Sequence, residues 1–331
     1  MHKQENAQRG LVHGFVLDGT GGAREIDQEQ LSSLQLQEGQ SLWLHWDRSH
    51  PQTQGWLRRE SGLSEFACDL LLEENTRPWV VPMAGDELLL FLRGVNLNPG
   101  AEPEDMVSVR IFADASRLIS LRLRPLRATD QLIEQLRAGT GPKNISDLML
   151  QLADYLTDKV DDLVGSLSEE VDEQEELVDS DERAVPDHGL LLQMRRRAAG
   201  LRRFLAPQRD IYAQLARSQL PWLLAQDSAY WNELNNRLQR YLEELELSRE
   251  RVGLLLESES RRLDVRMNHI LFRLSIITCV FLPMSFITGL LGINVGGMPG
   301  ADSPYGFLIA CLLMLVLGVG QWLVFRRLRW V

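Results

Sequence analysis

Cysteine is scarce in this sequence. Its three cysteines, Cys68, Cys279 and Cys311, stand far apart, and two of them fall in strongly apolar segments. No CxxC or HxxxH pair occurs, so neither a disulfide framework nor a closely spaced structural zinc site is signalled. A basic surplus is missing as well: 35 Lys and Arg stand against 46 Asp and Glu, a formal net charge of −11. A nucleic-acid-binding surface is usually basic, so no nucleic-acid partner is expected; an acidic surface repels anions and attracts cations. The soluble part has one glycine cluster, Asp18-Gly-Thr-Gly-Gly22, which lacks a Walker lysine and the GxGxxG spacing and reads as a turn after the first strand. With no nucleophile, base or cofactor motif, an enzyme is not expected. The first residues carry no apolar stretch of the secretory type, so the soluble part is expected in the cytoplasm.

Charge itself is absent from two segments near the end. Residues 274–291 and 305–325 contain no Asp, Glu, Lys or Arg. A bilayer core about 30 Å thick needs about 20 apolar residues of helix, so both segments predict transmembrane helices. Arg261, Arg262, Arg266 and Arg273 precede the first, and Arg326, Arg327 and Arg329 follow the second. The connecting loop has no Lys or Arg, and its single charge is Asp302. By the positive-inside rule both termini are cytoplasmic and the loop faces outward, giving a multi-pass protein of the inner (cytoplasmic) membrane.

The first span carries a stripe of small or polar residues, Ser275, Thr278, Ser285, Thr288, Gly289 and Gly292, at steps that keep most of them on one helical face. Small residues also serve helix packing. With Asn294 at the outer end, a water-lined pore is the better reading. An amide oxygen is an uncharged hard acceptor, and a symmetric ring of them holds a hydrated divalent cation through its waters, weakly enough to release it. Neighbouring glycines bring backbone carbonyls close to the same ion. The chemistry on offer is passage of a largely hydrated ion, with Asn294 as the metal-facing residue and no resident cofactor.

The rest of the chain reads as α+β. Runs at 11–18, 41–46, 78–81, 87–92, 107–113 and 117–123 predict strands, with a helix at 63–73. Helical patterns follow at 129–138, 144–178 and 190–216, the second acidic and the third basic, so that an antiparallel pair with complementary faces is expected. From Trp231, apolar residues at Leu234, Leu238, Tyr241, Leu245, Val252 and Leu255 alternate at three and four, with Ser248 interrupting. No proline falls between Pro221 and Pro283, so one helix can run from about 228 into the membrane, about 90 Å for 60 residues. Such a rod calls for partners, hence an oligomer. The expected organisation is an α/β domain (1–127), a helical region (128–227), a stalk helix (228–270), a first span (271–292), an outward loop (293–304), a second span (305–326) and a tail (327–331). Among the scattered histidines, His45 and His50 are candidates to meet at a strand end for zinc. His269, at the membrane edge, is a candidate proton-linked group because imidazole titrates near neutral pH.

Gly292-Ile293-Asn294, at the end of the penultimate apolar segment, resembles the Gly-Met-Asn motif of the CorA superfamily of divalent-metal transporters, with Ile in the middle. Val295-Gly-Gly-Met-Pro-Gly300 looks like the zinc-associated ZntB subgroup, and Leu201-Arg-Arg-Phe-Leu-Ala-Pro-Gln-Arg-Asp210 is similar to the pattern preceding the family's long helix. The resemblance covers essentially the whole chain. It implies a funnel-shaped homopentamer in a lipid bilayer, with Gly292, Ile293 and Asn294 as selectivity filter and Leu271, Leu274, Thr278, Leu282, Ser285 and Gly289 lining the pore. Mg²⁺-transporting members usually place an acid where this loop has Gly300, so the resemblance favours Zn²⁺, with uptake coupled to protons and direction open. The alternatives are a CorA-like Mg²⁺/Co²⁺ channel and a membrane-anchored metal sensor or scaffold that transports nothing.

Overall fold

A computed structural model describes residues 10–74, 77–180, 186–293 and 303–327. The chain divides into two compact units, Met1–Leu256 and Glu257–Val331.

The first unit is organised by one sheet of seven strands: β1 (Leu11–Leu17), β2 (Ala23–Ile26), β3 (Ser41–Asp47), β4 (Trp79–Pro82), β5 (Leu88–Gly94), β6 (Val107–Ala113) and β7 (Arg117–Arg122). Their order is β2-β1-β3-β7-β6-β5-β4, and every pairing is antiparallel except β3 with β7. Six strands lie where the alternating patterns predict them. β2 is additional. Its Ala-Arg-Glu-Ile has no apolar alternation to read, and it forms because the preceding turn folds it onto β1. There the Asp18 carboxylate accepts from the Thr20 amide (2.7 Å), the Thr20 hydroxyl (2.8 Å) and the Gly22 amide (3.1 Å). Gly19 and Gly21 supply the positive φ angles, 79° and 112°, that this turn needs.

Successive side chains alternate between two cores, so the central strands are covered on both faces. Leu88, Leu90 and Leu92 of β5, with Val107, Val109 and Ile111 of β6, join the large helical core. Leu89, Phe91, Phe112, Ile119 and Leu121 join the smaller one, beneath the short helices α2 (Pro51–Arg59) and α3 (Glu65–Leu72) that follow α1 (Gln28–Leu31). α2 has no match among the sequence expectations. The His50 ring nitrogen caps it by accepting from the Gln52 amide, and Pro51 occupies the first turn, where its missing N–H costs nothing.

The large core is closed by α4 (Arg127–Ala138), α5 (Ile145–Ser180), α6 (His188–Leu215) and the start of α7 (Ser228–Leu291). Tyr212 meets Thr157 and Arg197 meets Glu170, so α6 runs antiparallel to α5, as the charge pattern predicts. α7 completes the arrangement by running parallel to α5, with Arg237 on Asp154 and Asp158, and Arg251 on Asp172 and Glu175. The acidic α5 is thus served by arginines of two helices. Burial works against the Arg197 charge, but hydrogen bonds to Glu170 and Glu104 outweigh it and raise its pKa.

Gln208 shows what the 201–210 motif does. Fully buried, it accepts from the Arg93 backbone amide (2.8 Å) and donates to the Tyr212 hydroxyl (3.0 Å), which reaches the Ala153 carbonyl (3.3 Å). One amide thereby ties the end of β5 to α6 and α5. The α7 seam is buried at Trp231, Leu234, Leu238, Leu242, Leu245, Ser248, Val252 and Leu255. Leu242 takes the place expected of Tyr241, which is only partly covered. This part of the helix finds its partners within its own chain, so the seam by itself does not require a second copy.

Candidate functional site

The second unit holds the end of α7 and α8 (Gly306–Arg327), and both contain an apolar stretch long enough to cross a membrane. The two helices touch at identifiable points. The Gln321 amide donates to the Cys279 carbonyl (3.2 Å), and Gly318 lies against the end of the Met284 side chain, where an added Cβ would sit 2.9 Å from Cε. Half-buried residues mark the packed sides: Ile276, Val280, Pro283, Met284 and Ile287 on α7, and Ala310, Met314, Leu317, Gly318 and Gln321 on α8. α8 is therefore not uniformly lipid-facing. Gln321, the most polar residue of this apolar stretch, makes a contact between the helices through its amide.

Leu271, Leu274, Thr278, Leu282, Ser285 and Gly289 are all exposed in the single chain, the three leucines by 51%, 57% and 65%. At roughly 100° per residue, this line and the line packed on α8 lie on opposite sides of α7, roughly 180° apart. The small and polar stripe from Ser275 to Gly292 occupies the same open side. Its hydroxyls are partly satisfied by the helix itself: Thr278 donates to the Leu274 carbonyl (2.9 Å), and Thr288 donates to those of Met284 (3.1 Å) and Ser285 (3.0 Å).

α7 ends at the candidate filter. The Gly292 amide donates to the Thr288 carbonyl (2.9 Å) and the Gly289 carbonyl (3.2 Å), and the Ile293 amide lies 3.5 Å from the Leu290 carbonyl. The last carbonyls of a helix lack intrahelical donors and carry partial negative charge, which favours a cation just beyond them. A Cβ at Gly292 would stand 3.1 Å from the Thr288 oxygen, crowding the carbonyls that a side chain there would mask. Asn294, Gly300 and Asp302 lie outside the described residues.

The histidines are dispersed. His45 is fully buried, with Nδ1 2.8 Å from the Ser120 hydroxyl, and sits opposite His13 across β1 and β3. Burial, then Arg122 and His13, hold its pKa well below the ordinary imidazole value, so it is neutral. His50 is spent as a helix cap, and His269 is exposed on α7. Among the described residues, no group of three or more His, Cys, Asp or Glu side chains is arranged to hold a metal ion.

An α/β unit is thus followed by two helices long and apolar enough to cross a membrane, the first leaving a line of small and polar residues open away from the second. Residues 38–327 match the family described as CorA-like Mg2+ transporter protein. The chain is 61% identical over 324 residues to the divalent cation transporter CmaX of Pseudomonas aeruginosa, spanning 98% of each. It is 34% identical over 322 residues to the zinc transport protein ZntB of Yersinia enterocolitica, spanning 97% of this chain and 96% of the relative. The solved structure of full-length CmaX matches with a TM-score of 0.85 over 97% of this chain and 98% of that one. The CorA magnesium transporter of Methanocaldococcus jannaschii, at 19% identity, shares the fold with a TM-score of 0.77 over 96% of this chain and 98% of that one. The chain belongs to the CorA family and is a divalent cation transporter, in a family of transporters rather than enzymes.

Proposed function

We propose that this protein carries Zn²⁺ into the cell across the inner membrane, as a homopentamer whose copies of α7 surround the pore and with uptake coupled to protons. The observation that carries the proposal is the open line from Leu271 to Gly289, facing away from α8 and leading to Gly292 and Ile293 at the carbonyl end of the helix. In this reading Gly292, Ile293 and Asn294 form the filter, and the Asn294 amide holds the ion through its waters. The line needs further copies of the chain to enclose it, since α8 covers the other side. The argument for zinc is Gly300, standing where Mg²⁺-transporting members usually have an acid, supported by the ZntB relatives. The arginines flanking the two spans support cytoplasmic termini, and His269 is the first candidate for proton coupling. A Mg²⁺/Co²⁺ channel is the second reading, favoured by the description of the matching family.

Flux into proteoliposomes tests these points together. Zn²⁺ entry that equimolar Mg²⁺ leaves unchanged and an inward proton gradient accelerates is expected, with Asn294→Ala lowering it at least tenfold. Suppression of Zn²⁺ entry by Mg²⁺ would favour the second reading, and wild-type flux in the Asn294 variant would remove the filter role. Absence of divalent flux under every gradient would leave a sensor or scaffold. Particle mass in detergent checks the pentamer.

A further inference from the structure

Where β3, β5 and β7 end and β6 begins, the first unit holds an open cavity of about 650 Å³ lined, among the described residues, by seven arginines and two acids, Glu74 and Asp105. That concentration of positive charge runs against a net charge of −11. The volume lies in the range of small-molecule sites, roughly 300–1,000 Å³.

Three of the arginines are held by neutral carbonyls. Arg110, only 3% exposed, donates to the carbonyls of Leu71 (2.7 Å) and Glu74 (3.3 Å); Arg48 donates to those of Leu72 (3.0 Å) and Glu73 (2.7 Å). Carbonyls orient a guanidinium without neutralising it. Burial, then the charges of Arg48 and Arg93, press Arg110 down to about 10, which leaves it charged at neutral pH. Arg93 donates to the Met106 carbonyl (2.8 Å) and lies 4.8 Å from the centre of the Phe204 ring, which also carries the Arg203 guanidinium at 5.6 Å. The wall also contains unused donors. The Arg122 Nε and the Ser108 hydroxyl are buried and have no hydrogen-bond partner among the described residues. A native interior rarely leaves such groups unpaired without a ligand or water to meet them.

We propose that this cavity is a binding site for a small polyanion built on a phosphate chain, the chemistry shared by inorganic pyrophosphate and the triphosphate of a nucleotide. Guanidinium groups recognise phosphate oxygens with paired, charge-assisted hydrogen bonds, and a cluster of them around one cavity suits several linked phosphates better than a single monovalent anion. The anion compensates the crowded arginines and satisfies Arg122 and Ser108. With a nucleotide, the Phe204 ring lies at the wall to receive the base. Nothing in this site depends on which cation the protein transports.

The test uses the purified full-length chain in detergent with EDTA, so that chelation of divalent ions plays no part. Thermal unfolding and equilibrium dialysis are followed with pyrophosphate, with ATP, and with NaCl at matched ionic strength. Saturable binding of pyrophosphate or ATP is expected, with a rise in Tm that NaCl does not reproduce. The double variant Arg77→Ala/Arg203→Ala, at two exposed lining positions, is expected to weaken binding at least tenfold while the protein remains folded. Binding of both probes identifies the phosphate chain as what is recognised. Binding of ATP alone, lost in Phe204→Leu, identifies a nucleotide. Absence of saturable binding by either probe, or binding that the double variant leaves unchanged, overturns the proposal. So does a wild type that binds neither probe while Arg77→Glu/Arg203→Glu changes the oligomeric mass, because the cavity then belongs to a contact with an acidic segment of another copy.

Discussion

Within α7, leucine obeys two opposite rules. Before Leu256 the seam positions are inside: Leu234, Leu238, Leu245, Val252 and Leu255 are buried with residues of α5 and α6, while Leu247 and Leu254 off the seam stay exposed. Beyond Glu257 the same residue types are outside, with Ile270 at 54%, Phe281 at 62% and Phe286 at 69% exposure. The hydroxyls differ too, since Ser248 is buried in the first unit while Thr278 and Ser285 are open in the second. The first unit supplies its own apolar cover. The second presents a surface whose cover is lipid on some sides and, by our proposal, further copies around a wet line. Burial within one chain therefore measures importance for folding only in the first unit.

The strongest challenge to that contrast is a pair of truncations. Trp231→Ala removes a fully buried indole and is expected to cost about 3–5 kcal/mol in denaturant unfolding followed by far-ultraviolet circular dichroism. Leu282→Ala is expected to leave that transition in place; a comparable loss would break the comparison. Next, Gln208→Leu orphans the Arg93 amide and removes the donor to Tyr212, with an expected cost of about 1–3 kcal/mol by the same measurement.

Acidification gives a smaller effect that points to a single residue. His45 has its pKa lowered in the fold, so the unfolded chain takes up the proton first as pH falls through about 6.5, the ordinary value. The stability due to neutral His45 is complete above that pH and lost below it, at a slope of at most about 1.4 kcal/mol per pH unit. Denaturation midpoints at a series of pH values should show a shallower acid slope in His45→Asn, whatever its absolute stability. Smallest are two polar contacts, one in each unit. Arg137→Ala breaks an exposed pair with Glu25 (2.9 Å) and is expected to cost about 0–1 kcal/mol by chemical denaturation. Gln321→Leu removes the bond to Cys279, with an expected loss of about 0.6 kcal/mol in helix association measured in detergent.

Regular, strongly patterned elements were legible. The six strands with apolar alternation and the long helices fall within a few residues of expectation because side-chain periodicity is itself the cause of their burial. β2 and α2 were not, because a charged four-residue strand and a helix started by His50-Pro51 owe their existence to a local turn and a cap. Gln208 stood inside a recognisable motif, yet its role needs β5 to pass beside α6, which no local pattern encodes. The candidate filter is the reverse case. Gly292, Ile293 and Asn294 were visible as a motif, while the structure contributes the carbonyl-ended helix behind the first two.

By itself the sequence determined where the chain can enter a membrane, which ends carry the positive charge, and which side of the first span is small and polar, because hydropathy and helical spacing act locally. Only the tertiary structure decided that α8 packs on the other side of α7, that α5 is flanked by arginines from both α6 and α7, and that seven arginines spread from Arg48 to Arg203 surround one cavity. Those outcomes depend on which distant segments share a surface, and the sheet order sets that through long-range pairing.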